Sequence, residues 1–412
     1  MLYDRWREVA REFHSECALR DLAAKQSWTF KQLDDAADKG TTERVVFPKG
    51  RSADFIIAVL KGWRSGAVVC PVEADQKPPE ISALPKEIAH VKITSATTGP
   101  GRLVALTAEQ LAADARNIVG TMGLRREWPN LGVISLAHSY GFSNLITPLL
   151  LHGIPLVVAG SPLPENVRLA LQEIGPATLA GVPALWRAWA EGKALSTKVQ
   201  LAISAGAPLP LELEQMIFES TDLKVHNFYG SSECGGIAYD QSSLRRTDGS
   251  CVGSAMNGVN LTVGPGGCLE VRSDAVAETY WPHRDDRLAN GCFRTSDLAE
   301  IEDGAVFLRG RASDVINVAG RKVAPDAIEA VLAKHEAVRH CLVFGVAEAD
   351  RDRIIACVAT ERGASADELK RYMLDRLPAW QVPREFWFVS DLSPDRRGKL
   401  SRAAWREKYL AR

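Results

Sequence analysis

The chain has 412 residues, 46% hydrophobic and 25% charged, with 50 basic against 51 acidic side chains and a formal net charge of −1. That length exceeds what one core fills, so two or three domains are expected. The charge balance supplies no bulk field toward nucleic acid or an anionic membrane; nucleic acid is not expected as a partner, and charge must act locally.

The opening residues MLYDRWREVAREF predict a short amphipathic helix and not a signal peptide. From about residue 45 to 235, short apolar runs alternate with helical patterns. VVF at 45–47 precedes a helix over 53–65, and AVVCPV at 67–72 is the next strand. The helix after Leu106 opens with Thr107 and has Gln110 three residues on, a capping box, with Leu111, Ala115 and Ile118 on one face. GVISLA (132–137), IPLVVAG (154–160), ATLAG (177–181) and QLAISAG (200–206) follow as strands. This alternation predicts parallel strands with crossover helices, hence an α/β core with ligands at loops beyond the strands' carboxyl ends.

The most apolar stretch, 145–160, is interrupted by Thr147, Pro148, His152, Gly153 and Pro155. A membrane span needs ~20 mainly apolar residues, so no span is expected. The eight cysteines form no C-x-x-C pair and the eight histidines show no metal-ligand spacing, which predicts free thiols in a reducing, cytoplasmic compartment.

Residues 249–278, with the turn GPGG, predict a small, mainly antiparallel β region. Next, period-two alternation through 298–302 and 305–309 flanks Asp303-Gly304, a strong two-residue hairpin signal. Counting back from that turn, Glu302 faces Ala305, Asp297 faces Gly310, and Arg311 lies one step away. A carboxylate beside a guanidinium suits a diol such as ribose; an ordinary surface ion pair fits as well. Beyond residue 314, a helix over 324–335, strands CLVFGVA and IIACVAT, a helix over 367–377 and a strand REFWFV predict an α+β module. The fold class is therefore α/β: a large N-terminal domain of mainly parallel α/β sheets plus a small β region, then a smaller α+β C-terminal domain.

Four segments carry candidate chemistry. TSATTGPGR (94–102) combines hydroxyls, glycines and a cation as phosphate oxygens require, without being a Walker loop; a plain polar turn is the alternative. NFYGSSECGG (227–236) carries the lone carboxylate Glu233, which suits magnesium when phosphates supply the other ligands, or else a capped turn. AHSYGFSN (137–144) puts His138 and Tyr140 at the end of the GVISL strand, as ligand contacts or as structural residues. DRRGKLSR (395–402) is a basic loop containing Lys399.

These segments, in this order, resemble the adenylate-forming (AMP-binding) superfamily of acyl-CoA synthetases, nonribosomal adenylation domains and luciferases. TSATTGPGR is similar to its T-S-G-T-T-G-x-P-K loop, FYGSSECG to Y-G-[ST]-T-E-x-G, and FRTSDLAEI to F-x-T-G-D-x-x. GRASDVINVAGRKVAPDAIE and GKLSR are similar to the segments that follow, and SWTFKQLDDAAD and ISAGAPLP to weaker ones.

The resemblance implies ATP and Mg²⁺, and coenzyme A or phosphopantetheine as thiol acceptor. It implies that Thr94, Ser95, Thr97, Thr98 and Gly99 cover the β- and γ-phosphates. Ser204, Ala205, Gly206, Ala207, Pro208, Asn227, Phe228, Tyr229 and Gly230 would border adenine, Ser232 would touch phosphate and Glu233 would hold Mg²⁺. Asp297 and Arg311 would bind the ribose, and Lys399 would reach the carboxylate and α-phosphate. Ser313 would be the hinge between an N-terminal domain of residues 1–312, trimmed before the phosphate loop, and a mobile domain of residues 313–412. Three departures stand out: Ala96 for the loop's second glycine, Gly101-Arg102 for Pro-Lys, which loosens the turn, and Ser296 for glycine.

His138, Tyr140, Gly141 and Phe142 are the expected acid-binding residues. No Asp or Glu occurs between Leu131 and Pro164 to hold an ammonium, so an apolar acyl or aryl acid is expected over an amino acid. The expected activity is activation of a small carboxylic acid to an acyl adenylate, then transfer to a thiol; an acyl carrier protein could present that thiol, and the enzyme would be a monomer or homodimer. The alternatives are an adenylating enzyme without a thiol acceptor, as in β-lactone formation, and a non-catalytic binding relative.

Overall fold

The computed structural model describes residues 1–81, 84–94, 101–318, 320–348, 352–392 and 401–412. Among them, parallel strands form the middle of the largest sheet, in the spatial order Cys17–Asp21, Leu156–Val158, Asn130–Gly132, Ala177–Gly181, Val199–Ser204 and Val225–Ser231. Ala177–Gly181 is buried at every position, as a strand covered on both faces must be. Past Val225–Ser231 the sheet becomes antiparallel through Gly235–Tyr239, Cys251–Ala255, Ala305–Arg311, Cys292–Glu302, Cys268–Ser273 and Val259–Val263. The β region expected at 249–278 thus continues the large sheet.

A second sheet runs Val45–Val46, Val68–Val69, Ile88–Ile93, Leu103–Thr107 and Thr279–Trp281, parallel over its first three strands and antiparallel over the rest. Leu103–Thr107 was not legible as a strand. Four of its five residues are buried, so it shows no alternation, and it runs straight into the helix Ala108–Met122. That helix starts as expected: Thr107 Oγ1 accepts from Gln110 N and Gln110 Oε1 from Thr107 N, at 3.2 and 2.9 Å.

The expected strand 132–137 is displaced. The ladder stops at Gly132, and the chain then passes through a turn Ser139–Gly141, a π-helical turn Phe142–Ile146 and the helix Thr147–His152. Local side-chain bonds compete with sheet pairing here. Ser135 Oγ accepts from Ala137 N at 3.2 Å, and His138 Nδ1 accepts from Tyr140 N at 3.3 Å.

After the hairpin, Val338–Ala347, Asp352–Thr360 and Glu385–Phe388 form a small sheet with the helices Pro325–Leu332, Ala366–Leu374 and Arg402–Leu410. Ile316, Ile328, Leu332, Val343, Ile354 and Met373 belong to its own buried cluster. No helix among the described residues is long and apolar enough to cross a membrane.

One buried group makes stability pH-dependent. His90 is fully buried, neither ring nitrogen has a hydrogen-bond partner among the described residues, and burial, then the nearby Lys92 charge, hold it well below 6.5. The folded chain keeps it neutral while the unfolded chain protonates it below 6.5, so stability falls as pH drops. As pH falls from 7 to 5 this residue therefore removes stability. His152 and His226, also depressed by burial, act in the same direction. His90→Phe is therefore expected to shrink the loss of urea-unfolding stability between pH 7 and pH 5.

Candidate active site

Asp303 and Gly304 form the hairpin turn at φ 49° and 80°, as a type I′ turn requires, and Glu302 pairs with Ala305. The register expected farther from the turn is corrected. A one-residue irregularity between Asp297 and Ala299 places Asp297 opposite Arg311, not Gly310. Arg311 Nε donates to Asp297 Oδ1 at 3.0 Å, and Tyr229 Oη donates to Oδ2 at 2.5 Å. Asp297 is 17% exposed and Arg311 45%, so the guanidinium forms the open side of the pair. Burial, then the Asp297 charge, push the Tyr229 phenol well above 10, which keeps it a donor. Tyr229 comes from the strand Val225–Ser231, so two sequence-distant candidate motifs meet at one carboxylate.

The glycine-rich segment lies between two paired antiparallel strands, Ile88–Ile93 and Leu103–Thr107. Thr94 N donates to Arg102 O, and Arg102 N to Thr94 Oγ1, both at 2.9 Å. Gly101 lies close against Thr94: a Cβ there would lie 2.6 Å from Thr94 O, so a side chain at this position would force the backbone to shift. Ser95, Ala96, Thr97, Thr98 and Gly99 lie outside the described residues. The Arg102 guanidinium stacks 3.5 Å from the Tyr280 ring centroid and donates to Asp285 at 3.1 Å; Arg287 holds the same carboxylate at 2.7 Å. The Arg287 hydrogen bonds hold the Asp285 carboxyl well below the usual range.

Tyr280 Oη donates to Glu233 Oε1 at 2.9 Å, so a phenol spaces the loop's cation from the candidate metal anchor. Burial, then the Glu233 charge, push that phenol up. Among the described residues no three His, Cys, Asp or Glu side chains converge on a metal site. A lone carboxylate with one oxygen already accepting a hydrogen bond fits Mg²⁺ only as an ion carried largely by phosphates and water. Tyr280, Asp285 and Arg287 were not foreseen; they sit in TYWPHRDDR, whose mixed charges carry no periodic signal.

The remaining predicted residues cluster at the ends of neighbouring strands. Ser204 is fully buried and its hydroxyl has no partner among the described residues; Ala205 is buried, Gly206 and Pro208 exposed, and Ala207 between. Asn227 Nδ2 donates to Cys251 O at 3.2 Å, Phe228 is buried, Gly230 is exposed and Ser232 half-buried. Tyr140 Oη reaches Ile203 O at 3.3 Å and its ring lies 6.0 Å from Phe228, joining the acid segment to the adenine-border strands. His138 is half-buried; Gly141 and Phe142 are buried, Phe142 with its ring 4.4 Å from His90. The acid segment has no carboxylate of its own, yet the fold brings Glu73 to Ser135, whose hydroxyl donates to it at 2.8 Å. That contact joins residues 62 apart, beyond any local pattern.

Ser313 is exposed and donates to Asp314 Oδ1 at 3.1 Å. Lys399 lies outside the described residues. Three positions on, Arg402 binds Asp314 at 3.0 Å, Asp326 at 2.9 Å and Glu329 at 2.6 Å, tying the last helix to the segment after Ser313.

A mixed α/β chain with a hydroxyl-rich segment between two paired strands, an isolated carboxylate turn and an Asp–Arg–Tyr cluster has the layout of a nucleotide-using enzyme. The AMP-binding enzyme family matches residues 82–281, and the AMP-binding enzyme C-terminal domain matches residues 327–399. The chain belongs to this adenylate-forming family. It is 29% identical over 337 residues to a probable 2-succinylbenzoate–CoA ligase of Mycobacterium tuberculosis, covering 77% of this chain and 84% of that protein. It is 24% identical to a feruloyl-CoA synthase of Amycolatopsis sp., covering 92% and 81%. A p-hydroxybenzoic acid–AMP ligase of M. tuberculosis is 30% identical over 78% of this chain, which spans about half (49%) of that protein. Among solved structures, ATP-bound MatB from Rhodopseudomonas palustris superposes with a TM-score of 0.85 at 20% identity, covering 99% of both chains. MenE from Bacillus subtilis with an acyl-adenylate superposes at 0.83 and 19% identity, covering 98% and 97%. Both share the fold.

Proposed function

We propose that this chain is an AMP-forming acid–thiol ligase that activates an apolar acyl or aryl carboxylic acid and passes it to a thiol, that of coenzyme A or of a carrier protein's phosphopantetheine. The observation that carries this reading is the Asp297–Arg311–Tyr229 cluster, assembled from separate family motifs at one point. Several relatives are named for aryl acids (2-succinylbenzoate, ferulate and p-hydroxybenzoate), which favours an aryl substrate.

The first step joins a carboxylate oxygen to the α-phosphorus of ATP and breaks the bond to pyrophosphate. Charge accumulates on the α-phosphate oxygens, and Lys399 supplies a fixed cation there. Mg²⁺, when bound, would neutralise polyphosphate charge, with Glu233 as its protein ligand. Asp297 accepts from the ribose hydroxyls and Arg311 keeps that carboxylate oriented. In the second step the thiol sulfur attacks the acyl carbon, the acyl–phosphate oxygen bond breaks, AMP leaves and the thiol proton goes to solvent. Residues 313–412 are the part that rotates about Ser313 between the steps, withdrawing Lys399 and admitting the thiol. A cytoplasmic monomer or homodimer would meet both acceptors.

A panel of aryl and alkyl acids with pyrophosphate detection tests the reading, followed by coenzyme A and a loaded carrier protein. No acid-dependent pyrophosphate from any member would sink it; pyrophosphate without thioester would favour the adenylating alternative. Asp297→Ala should raise the KM for ATP about tenfold to a hundredfold, since it removes charge-assisted hydrogen bonds. The KM for the acid should stay unchanged in the same assay.

A further inference from the structure

We propose that Lys92 and Asp114 form a buried positioning pair that locks the Glu233 turn to the acid-binding segment; this rests on the ligase reading above. His90 and Lys92 are two apart on the strand Ile88–Ile93, so they share one face, and both are buried. That face looks onto the π-helical turn Phe142–Ile146. Lys92 Nζ donates to Ser143 Oγ at 3.2 Å and pairs with Asp114 at 3.5 Å. Ser143 Oγ donates in turn to Asp114 Oδ2 at 2.6 Å. The ionic side chains are only 2% and 1% exposed.

The other oxygen of Asp114 reaches the metal-anchor segment. Oδ1 accepts from Gly236 N at 3.0 Å, and the backbone wraps so closely that a Cβ on Gly235, at φ +67°, would lie 2.0 Å from it. Glu233 is two residues before Gly235, and its own backbone carbonyl accepts from Ala277 N at 2.8 Å. One carboxylate thus holds the Glu233 turn by Oδ1 and the acid segment by Oδ2. Lys92, on the strand that feeds the glycine-rich segment, balances its charge.

Energetics do not by themselves explain the pair. A buried ion pair is commonly no more stabilising than well-packed apolar residues of the same volume. Apolar residues could fill this space, but they could not fix an N–H of one segment and a hydroxyl of another in set directions. Groups that hydrogen-bond a metal-binding carboxylate directly cost about 10–100-fold in metal affinity or activity when lost, and Asp114, which fixes the backbone three residues past Glu233, is expected at the low end of that range.

The test uses the full chain with the charge-neutral double substitution Lys92→Met/Asp114→Asn. Mg²⁺ is titrated calorimetrically in the presence of a non-hydrolysable ATP analogue, beside acid-dependent pyrophosphate release and a melting curve. The expected result is a cooperative melt, about tenfold more Mg²⁺ for half-saturation, and about tenfold lower kcat. A cooperatively melting double variant with wild-type Mg²⁺ dependence and kcat overturns the proposal. Ser143→Ala, which keeps both charges, covers the case of a misfolded double. It should raise the acid KM about threefold or more and leave Mg²⁺ half-saturation unchanged; a wild-type acid KM there also overturns the proposal. Failure of the wild type to release pyrophosphate would instead sink the ligase reading, while the Mg²⁺ titration would still decide the role of the pair.

Discussion

Lys399→Ala is expected to abolish acyl-adenylate formation, lowering acid-dependent pyrophosphate release by about 10³-fold, with the melting temperature unchanged. A carboxylate is a weak nucleophile, and its attack places new charge on phosphate oxygens that already carry charge. A fixed ammonium in a site closed to water acts on that charge at low effective dielectric, where it is worth far more than in solution. The melt should not move, because the neighbouring anchor survives. Arg402 keeps its bonds to Asp314, Asp326 and Glu329 whatever stands at position 399. The two steps separate the role cleanly: thioester formation from a supplied acyl adenylate should stay within about threefold of wild type, since the proposed rotation withdraws Lys399 for that step. Lys399→Arg should recover little, because a planar fork cannot replace a compact point charge. An unchanged rate of pyrophosphate release in Lys399→Ala would remove the residue from the mechanism.

How far the sequence reveals this architecture depends on which residues signal locally. The helix Ala53–Ser65 and the strand Ala177–Gly181 match their expected bounds, because a capping serine and a bounded apolar run are local signals. The Asp303-Gly304 turn was legible for the same reason. The irregularity at Asp297 was not: the count from the turn assumes an unbroken ladder, and one extra residue changes the partner from Gly310 to Arg311. Leu103–Thr107 was hidden by burial on both faces, and the end of the strand at Gly132 by side-chain bonds that the apolar pattern does not record.

The site shows the same division. Motif residues such as Glu233, Asp297 and Arg311 stand out because polar groups gather in turns. Lys92 and Asp114 did not stand out, because each sits singly inside an apolar element, Lys92 in a strand and Asp114 on the buried face of a helix. Their partners are 51 and 122 residues away, at Ser143 and Gly236 respectively. Glu73 and Tyr280 were hidden likewise, since each acquires its role only when a distant segment packs against it.

Glu233→Gln is the second large effect expected: about a hundredfold loss in kcat/KM for ATP, with the fold preserved. The amide has the carboxylate's shape and its oxygen can still accept from Tyr280 Oη, so the local hydrogen bond that holds the side chain at 2.9 Å remains. What disappears is the full negative charge, and with it the protein's attraction for a hard dication. Among the described residues no three-ligand cluster exists to take over. Calorimetry should therefore show nucleotide-analogue binding that is weaker in Mg²⁺ and nearly unchanged in EDTA, because the ribose-binding role proposed for Asp297 does not depend on the metal. Tyr280→Phe supplies the converse. It frees the Glu233 oxygen without altering its charge, so it should leave Mg²⁺-dependent binding within about threefold of wild type. Equal loss in both variants would mean that the phenol–carboxylate bond, not the charge, is what the nucleotide site needs. A loss confined to Glu233→Gln, and to solutions containing Mg²⁺, assigns the metal to this carboxylate.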